Sequence, residues 1–289
     1  MKIILSRKGF DSSAGGVPSP ILPSSRLYSL PIPENPVDSR PDLSYRGMTA
    51  NGVSAGDLVL DLTRGKVKPD QTPHLDPDLD YNSVPRKAGW KPLFGQAGAA
   101  ESHLQKNGVK EGDIFLFFGW FRKVELVKGV YRYISNAPDL HVIFGWLQIE
   151  RRIDVGPCKE IPDWAMDHAH CVRTKHSNPD VIYISRETMH LPFHGIDKSG
   201  AGLFGKFDPR LCLTMQNQNR SIWQLPGWLR LEDGKKKGLS YHRSAKRWTV
   251  QNDFTRLATV GRGQEFVLDC DEYPEALDWL ADLLSVPTE

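Results

Sequence analysis

The segment HLDPDLD at residues 74–80 places one imidazole and several carboxylates within a very short stretch of chain. Its proline favours an extended backbone at the preceding residue, and side chains along an extended chain alternate between two sides. His74, Asp76 and Asp78 are therefore expected to project together. One histidine and two carboxylates can activate water, stabilise a developing cation or hold a divalent metal. The alternative is a turn in which the aspartates cap backbone N–H groups.

A second candidate is the loop SRKGFDSSAGG, which follows the apolar run KIIL at residues 2–5. Its glycines allow backbone N–H groups to approach an anion, and its basic side chains supply positive charge. The loop lacks the P-loop motif of nucleotide-binding proteins. We expect it to contact phosphate and sugar, or else to form a capped turn with solvated basic residues. The predicted contacts are Arg7, Lys8, Ser12 and Ser13, with Asp11 as an acid–base or orienting group.

Two apolar segments, 111–127 and 137–155, share the motif Phe-Gly-Trp. Core packing explains most of their aromatic residues. A sharper hypothesis is that Trp120 and Trp146 flank a flipped nucleotide base, because planar bases stack on aromatic rings. The amide of Gln96 would then bind the edge of that base.

The strongest indication of a partner is a basic segment at residues 230–262, where nine Lys or Arg face three acids. Its balance of +6 contrasts with +2 for the whole chain, so positive charge is concentrated here. Basic side chains interleaved with aromatics suit the phosphate backbone of DNA, although a solvated loop has the same composition. The predicted contacts are Lys235, Lys236, Lys237, Arg243, Lys246 and Arg247. The preceding Gly-rich stretch adds Lys198, Gln216 and Asn217, since amides can read base edges.

The segment DHAHCVRTKH at residues 167–176 resembles a metal site only superficially. On a helix, Asp167, His170 and Cys171 would share one face. The spacing matches no zinc motif, and a helix surface with a hydrogen-bonded histidine explains it more simply. We therefore assign no metal and no cofactor.

The composition, with 39% hydrophobic and 25% charged residues in 289, is typical of a folded protein. Neither a signal peptide nor a transmembrane run is recognisable, so no membrane association is predicted. The cysteines form no C-x-x-C pair and indicate reduced thiols in a cytoplasmic protein. They are Cys158, Cys171, Cys212 and Cys270.

The elements that must position these residues are mixed strands and helices without a regular βαβ alternation. We predict an α+β fold, with a mixed sheet core and long functional loops. Predicted strands lie at 2–5, 57–62, 111–127, 137–155, 180–185 and 265–270, and predicted helices at 97–109, 162–176 and 273–284.

Taken in order, SRKGFDSSAGG, HLDPDL, GDIFLFFGWFR, HVIFGWLQI and the Gly-rich segment through LPGWL resemble the third type of nucleotide modification associated domain. The resemblance implies a bacterial or phage system concerned with modified DNA bases. It implies one domain over 1–289, divided into 1–96, 97–156 and 157–289. The strand pair is also similar to PUA-like domains, so the fold allows a PUA-like β-barrel portion at 97–156.

We therefore expect an enzyme that hydrolyses the N-glycosidic bond of a flipped modified nucleotide, in the manner of a DNA glycosylase. Its partner would be double-stranded DNA, and its setting antiviral defence or base modification with other proteins of that system. The catalytic candidates are Asp11, His74, Asp76 and Asp78. The alternatives are a non-catalytic reader of modified bases and a transferase that makes or attaches the modification.

Overall fold

A computed structural model describes residues 1–34, 42–50, 52–156, 160–173, 175–192, 195, 197–232, 236–261 and 263–288. The helices of these residues are α1 (Ala55–Leu62), α2 (Gly98–Lys106) and α3 (Glu275–Leu284). The strands are β1 (Lys2–Arg7), β2 (Ser19–Ile21), β3 (Thr49–Ala50), β4 (Val53–Ser54), β5 (Leu93–Ala97), β6 (Ile114–Val127), β7 (Val130–Tyr133), β8 (Leu140–Asp154), β9 (Asp180–Ser185), β10 (Ala201–Leu203), β11 (Ile222–Pro226), β12 (Trp248–Val250), β13 (Phe254–Ala258) and β14 (Glu265–Asp269).

The main sheet has nine strands, and its longest path runs β14-β1-β6-β8-β9-β5. Strands β2 and β7 also pair with β6, and β10 pairs with β8. The β1–β6 and β2–β6 pairs are parallel and the remaining pairs are antiparallel. A mixed sheet with three helices confirms the predicted α+β class. A smaller sheet has the order β11-β13-β12, and β3 pairs with β4.

The centre of the main sheet is built from apolar runs that are buried on both faces. Residues 114–119 of β6 and 141–149 of β8 are all buried, as expected for strands covered on both sides. Phe94 of β5 packs edge-on against Phe115 and Phe117 of β6. The core therefore reaches from β6 to the end strand β5.

The path of strands is curled, because side chains of its two end strands meet. Gln96 of β5 donates a hydrogen bond from Nε2 to Oε1 of Glu265 on β14, at 2.6 Å. The backbone pairing of the described residues nevertheless does not join these strands, so no closed PUA-like barrel is observed.

Most predicted elements are present, but two were wrong. DLVLDL belongs to helix α1 because Ser54 caps its start, accepting the N–H of Asp57, while Leu58, Val59 and Leu62 share a buried side. In the described part of 162–176, which leaves out residue 174, the predicted helix is replaced by one short 3₁₀ turn, Asp163–Ala165, and by further turns.

None of the described helices is long and apolar enough to span a bilayer. Cys171, Cys212 and Cys270 are free thiols, and Cys158 lies outside the described residues. The cytoplasmic location and the three-part division of the chain stay predictions.

Candidate active site

Asp76 is the centre of a buried polar cluster beside the outer edge of β5, the end strand of the path. The backbones of Asp78 and Leu93 exchange two hydrogen bonds, of 2.9 and 3.0 Å, and so align the HLDPDL segment with this strand. The next step along β5 brings the N–H of Gly95 to Oδ1 of Asp76, at 2.7 Å. The side chain of Asp76 is 5% exposed. Its position is therefore determined by backbone pairing.

Two histidines face the other carboxylate oxygen of Asp76. Nε2 of His74 and Nε2 of His170 each lie 3.9 Å from Oδ2, which is longer than a hydrogen bond. The ligating atoms of the three residues lie within 4.8 Å of one another. The three side chains therefore surround a small common space.

Each of these histidines is held from behind by a carboxylate. His74 Nδ1 bonds to Glu34, because residues 32–34 and 72–74 run side by side: the N–H of His74 donates to the Ile32 carbonyl. His170 Nδ1 bonds to Oδ1 of Asp180, at 2.6 Å. A ring that donates its Nδ1 proton to a carboxylate presents the lone pair of Nε2. With both rings in this Nδ1-protonated tautomer, the two Nε2 atoms present lone pairs towards Asp76.

His168 differs from these two histidines in which ring nitrogen carries the proton. Its Nδ1 accepts the N–H of His170 at 3.3 Å, so the neutral ring carries its proton on Nε2. That Nε2 lies 3.6 Å from Oδ1 of Asp76 and has no hydrogen-bond partner within 3.5 Å among the described residues. His168 therefore offers a proton to Asp76 rather than a lone pair.

Gly95 makes the close approach of His170 possible. A Cβ atom at Gly95 would lie 2.2 Å from Cδ2 and 2.5 Å from Cγ of the His170 ring. Ordinary carbon contacts need about 3.5 Å. Any side chain at this position would displace the ring from Asp76.

The environment keeps Asp76 ionised and His170 neutral. Burial raises the pKa of Asp76, but the nearby Nε2–H of His168 and the positive charge of Lys8 outweigh burial, so the pKa is lowered overall. Burial lowers the pKa of His170 to about 4, although Asp180 and Asp76 oppose that shift. At neutral pH the site therefore holds a carboxylate beside an uncharged imidazole.

A second buried group lies behind Asp76. Lys8 Nζ is 3.4 Å from Oε1 of Glu265 and 4.3 Å from the centre of the Phe94 ring. Ser6 and Gln96 also donate hydrogen bonds to that oxygen. Burial raises the pKa of Glu265, while the charge of Lys8 opposes the shift. Lys8 therefore pairs with Glu265 inside the protein, and its positive charge also acts on Asp76.

A pocket opens beside Asp76. Its cavity of about 90 Å³ exceeds the roughly 10–15 Å³ that one water requires. Its wall combines aromatic rings with a few polar groups. Its aromatic and polar lining residues are Tyr28, Phe144, Phe204, Arg26, Ser29, Asp76, Asp80 and Ser83.

A family model described as nucleotide modification associated domain 3 matches residues 2–269 of this chain. The chain belongs to the nucleotide modification associated domain 3 family. Searches of curated proteins and of solved structures each found no significant match. The family places this domain in the context of nucleotide modification.

In this nucleotide modification associated domain, the side chain of Asp78 does not join those of His74 and Asp76, although HLDPDLD was expected to project all three together. Arg86 donates to both oxygens of Asp78, at 2.5 and 2.6 Å, and both side chains are nearly buried. Burial raises the pKa of Asp78, whereas Arg86 opposes this shift. Asp78 therefore lies in a structural ion pair, while His74 and Asp76 meet as expected.

The opening loop forms a capped turn. Oδ1 of Asp11 accepts hydrogen bonds from the N–H and Oγ of Ser13 and from the N–H of Ala14, each at 2.7 Å. Ser12 and Ser13 are exposed. Arg7 donates to the Gly261 and Gly263 carbonyls, so it links this loop to the basic segment. A phosphate-contacting role for the loop stays a prediction.

The structure does not bring Trp120 and Trp146 together. Trp146 pairs with Leu116 and Trp120 with His141, so four residues of β6, about 13 Å, separate them along the strand. Trp146 is fully buried, and Nζ of Lys198 lies 4.8 Å from its ring centre. The two rings therefore have separate surroundings and do not flank one base.

The remaining predicted contacts are spread over the surface and the core. Gln216 and Asn217 are exposed on a turn, whereas Lys198 donates to the Val286 carbonyl near the end of α3. Gln96, predicted to read a base edge, lies in the Glu265 network.

The basic segment is only partly available for DNA. Lys237 pairs with Glu272 at 2.8 Å, and Arg247 donates to the Ala258 carbonyl. Lys236 lies near two glutamates. Arg243 and Lys246 are exposed, and Lys235 lies outside the described residues.

Sequence reasoning did not find the outer partners of the site. Glu34, Asp180 and Gly95 carried no motif, and His170 was read as part of a helix surface. The histidine pair in DHAHC was the one available signal, and it pointed to chemistry without naming the partner segment.

Proposed function

We propose that this protein acts on a modified base in DNA and hydrolyses the N-glycosidic bond of a nucleotide held in the pocket beside Asp76. The observation that supports this proposal is the position of Asp76. It is a buried, ionised carboxylate that lies among histidines and lines an aromatic pocket.

The pocket suits a planar base, because Tyr28, Phe144 and Phe204 supply aromatic surface and Ser29 and Ser83 supply hydrogen-bonding groups. A base extruded from a duplex needs such a lining to replace the stacking that it loses. The proposed reaction therefore begins with a flipped nucleotide whose sugar lies near Asp76.

In the hydrolysis, the water oxygen forms a bond to C1′ of the sugar as the C1′–N bond breaks. The electron pair of that bond leaves with the base nitrogen, which gains the proton that the water loses. The sugar passes through an oxocarbenium-like state, and the negative charge of Asp76 would stabilise it. A lowered pKa suits this role because the carboxylate stays ionised.

Basic side chains beside the pocket and, separately, on the basic segment are suitable contacts for the DNA backbone. Arg26 lines the pocket, and Lys206 pairs with it through the backbone and is exposed. Arg243 and Lys246 offer exposed charge on the basic segment. Cations of this kind bind phosphates without regard to sequence.

The experiment is to incubate the purified protein with phage DNAs that carry ordinary or hypermodified bases. Mass spectrometry would detect released bases, and alkaline cleavage would detect abasic sites. We expect one type of DNA to release its base, and Asp76→Asn to slow release by at least about 100-fold. Asp70→Asn, at an exposed carboxylate paired with Arg46, is the matched control with an unchanged rate.

Release at the normal rate by Asp76→Asn would refute the role of this carboxylate. If no DNA releases a base but one modified DNA is retained at moderate salt, the protein is a reader instead. A product of increased mass would identify the transferase.

A further inference from the structure

We propose that His74, Asp76 and His170 bind a divalent transition-metal ion. The binding site follows from geometry alone, whereas its part in hydrolysis rests on the function proposed above. The three residues come from two segments that are more than ninety positions apart in numbering. Neither segment carries a metal motif by itself.

The first argument is the size of the space between the ligand atoms. Nε2 of His74 and Nε2 of His170 each lie 3.9 Å from Oδ2 of Asp76, and the third side of this triangle is at most 4.8 Å. An ion at its centre would lie no more than about 2.5 Å from each atom, compared with about 2.0–2.2 Å for zinc bonds. Shifts of a few tenths of an ångström would complete the coordination.

The second argument is the direction of the lone pairs. Glu34 and Asp180 each take the Nδ1 proton of one histidine, which leaves the Nε2 lone pairs facing the space beside Oδ2. Buried acceptors that face one another repel unless a cation lies between them. A carboxylate behind each ligating histidine is the arrangement found at metal centres, where it orients the ring and raises its basicity.

The third argument is that the two carboxylate oxygens of Asp76 have different neighbours. Oδ1 accepts the N–H of Gly95 and faces the protonated Nε2 of His168. Oδ2 is turned towards the two histidines. Asp76 is thereby prepared to bind an ion through one oxygen while its other oxygen is held in place.

The donor set indicates which ions fit. Two imidazoles and one carboxylate favour Zn²⁺, Fe²⁺ or Mn²⁺ over Mg²⁺ and Ca²⁺, which prefer oxygen ligands alone. Three protein ligands with an open position are typical of catalytic rather than structural sites. Because Asp76 also lines the pocket, the open position would be reached from there.

The role of the ion in hydrolysis would be to bind the attacking water. A bound divalent ion lowers the pKa of its water to about 7, so hydroxide forms at neutral pH. The hydroxide would then add to C1′ in the reaction described above. Asp76 would then serve as a ligand of the ion, and the bound hydroxide would bring negative charge to the sugar in its place.

The test measures metal content separately from activity. The full-length protein is stripped with a chelator and titrated with Zn²⁺, Mn²⁺ and, under anaerobic conditions, Fe²⁺. Calorimetry and elemental analysis should give one ion per chain. His74→Gln and His170→Gln should weaken binding at least 100-fold, and Glu34→Gln should weaken it 10- to 100-fold. His190→Gln, at an exposed histidine, is the control and should bind as the wild type does.

The absorption spectrum of the Co²⁺-loaded wild type provides a second measurement that does not depend on buried substitutions. We expect visible d–d bands without an intense thiolate charge-transfer band, because the ligand set excludes the nearby Cys171. Stoichiometric binding that survives both histidine substitutions, or a thiolate band, would overturn the proposal. So would a wild type that retains no ion.

The outcomes also separate this inference from the proposed function. One bound ion without base release from any DNA contradicts the hydrolysis alone. Base release by a chelator-treated protein that binds no ion contradicts the metal site alone.

Discussion

Replacing Gly95 by alanine tests the packing on which the whole cluster depends. The new Cβ would lie 2.2 Å from Cδ2 and 2.8 Å from Nε2 of the His170 ring. Since carbon contacts need about 3.5 Å, the ring or the strand must move by more than about 1 Å. His170 is also held by its 2.6 Å bond to Asp180, so it has little freedom to withdraw.

The magnitude follows from the cost of overpacking, which is about 1–3 kcal/mol for added methylenes. The clash is severe and involves a buried ring, so we expect Gly95→Ala to lower the free energy of unfolding by about 3 kcal/mol. The assay is urea unfolding followed by tryptophan fluorescence, with chelator present so that metal binding does not contribute. Gly47→Ala is the control, since its Cβ would meet only Oγ of Ser44, at 3.8 Å, and should change stability by less than about 0.5 kcal/mol.

A double-mutant cycle isolates the contact itself. In the His170→Ala background the ring is gone, so the cost of Gly95→Ala should fall by at least about 2 kcal/mol. An equal cost in both backgrounds would refute the reasoning, because the strain would then lie elsewhere on β5. A cost close to that of Gly47→Ala would refute it as well.

Two further predictions concern ion pairs and pH. Arg86→Met should lower the free energy of unfolding by about 3–5 kcal/mol, since it leaves the buried Asp78 carboxylate unpaired. Arg46→Met, at a solvent-exposed pair, should leave the unfolding midpoint in the same urea assay nearly unchanged. Burial lowers the pKa of His141 from its ordinary value of 6.5 to about 3. As the pH falls from 6.5 towards 3, the unfolded chain therefore protonates this imidazole while the folded protein does not. The free energy of unfolding decreases over that range. His141→Asn keeps an acceptor for the Trp223 N–H and should make the fall shallower by about 1.4 kcal/mol per pH unit; an unchanged slope between pH 4 and 6 would contradict this.

The fold was predictable wherever burial follows a local pattern. Strands β1, β6, β8 and β9 and helices α2 and α3 were expected near their observed bounds, because apolar runs and periodic faces report burial directly. DLVLDL was misread because six mostly apolar residues fit a strand or a helix equally well. The cap at Ser54 and the packing of Leu58 and Leu62 stabilise the helix instead of a strand.

The convergence of polar side chains in HLDPDL could be predicted from the sequence, because residue types and an extended backbone are local properties. His74 and Asp76 do meet, but Asp78 is drawn away by Arg86, eight residues later. His170, in a segment predicted to be helical, instead turns inward to Asp180.

The sequence by itself determined the α+β class, the long buried strands and the acidic segment that supplies Asp76. Tertiary structure alone decided which residues complete the cluster: His168 and His170 face that carboxylate, and Glu34 and Asp180 hold the histidines from other segments. The physical reason is that a strand or helix follows from neighbours along the chain. A buried polar cluster instead follows from the need to give each desolvated group a partner, wherever the curled sheet brings one within reach.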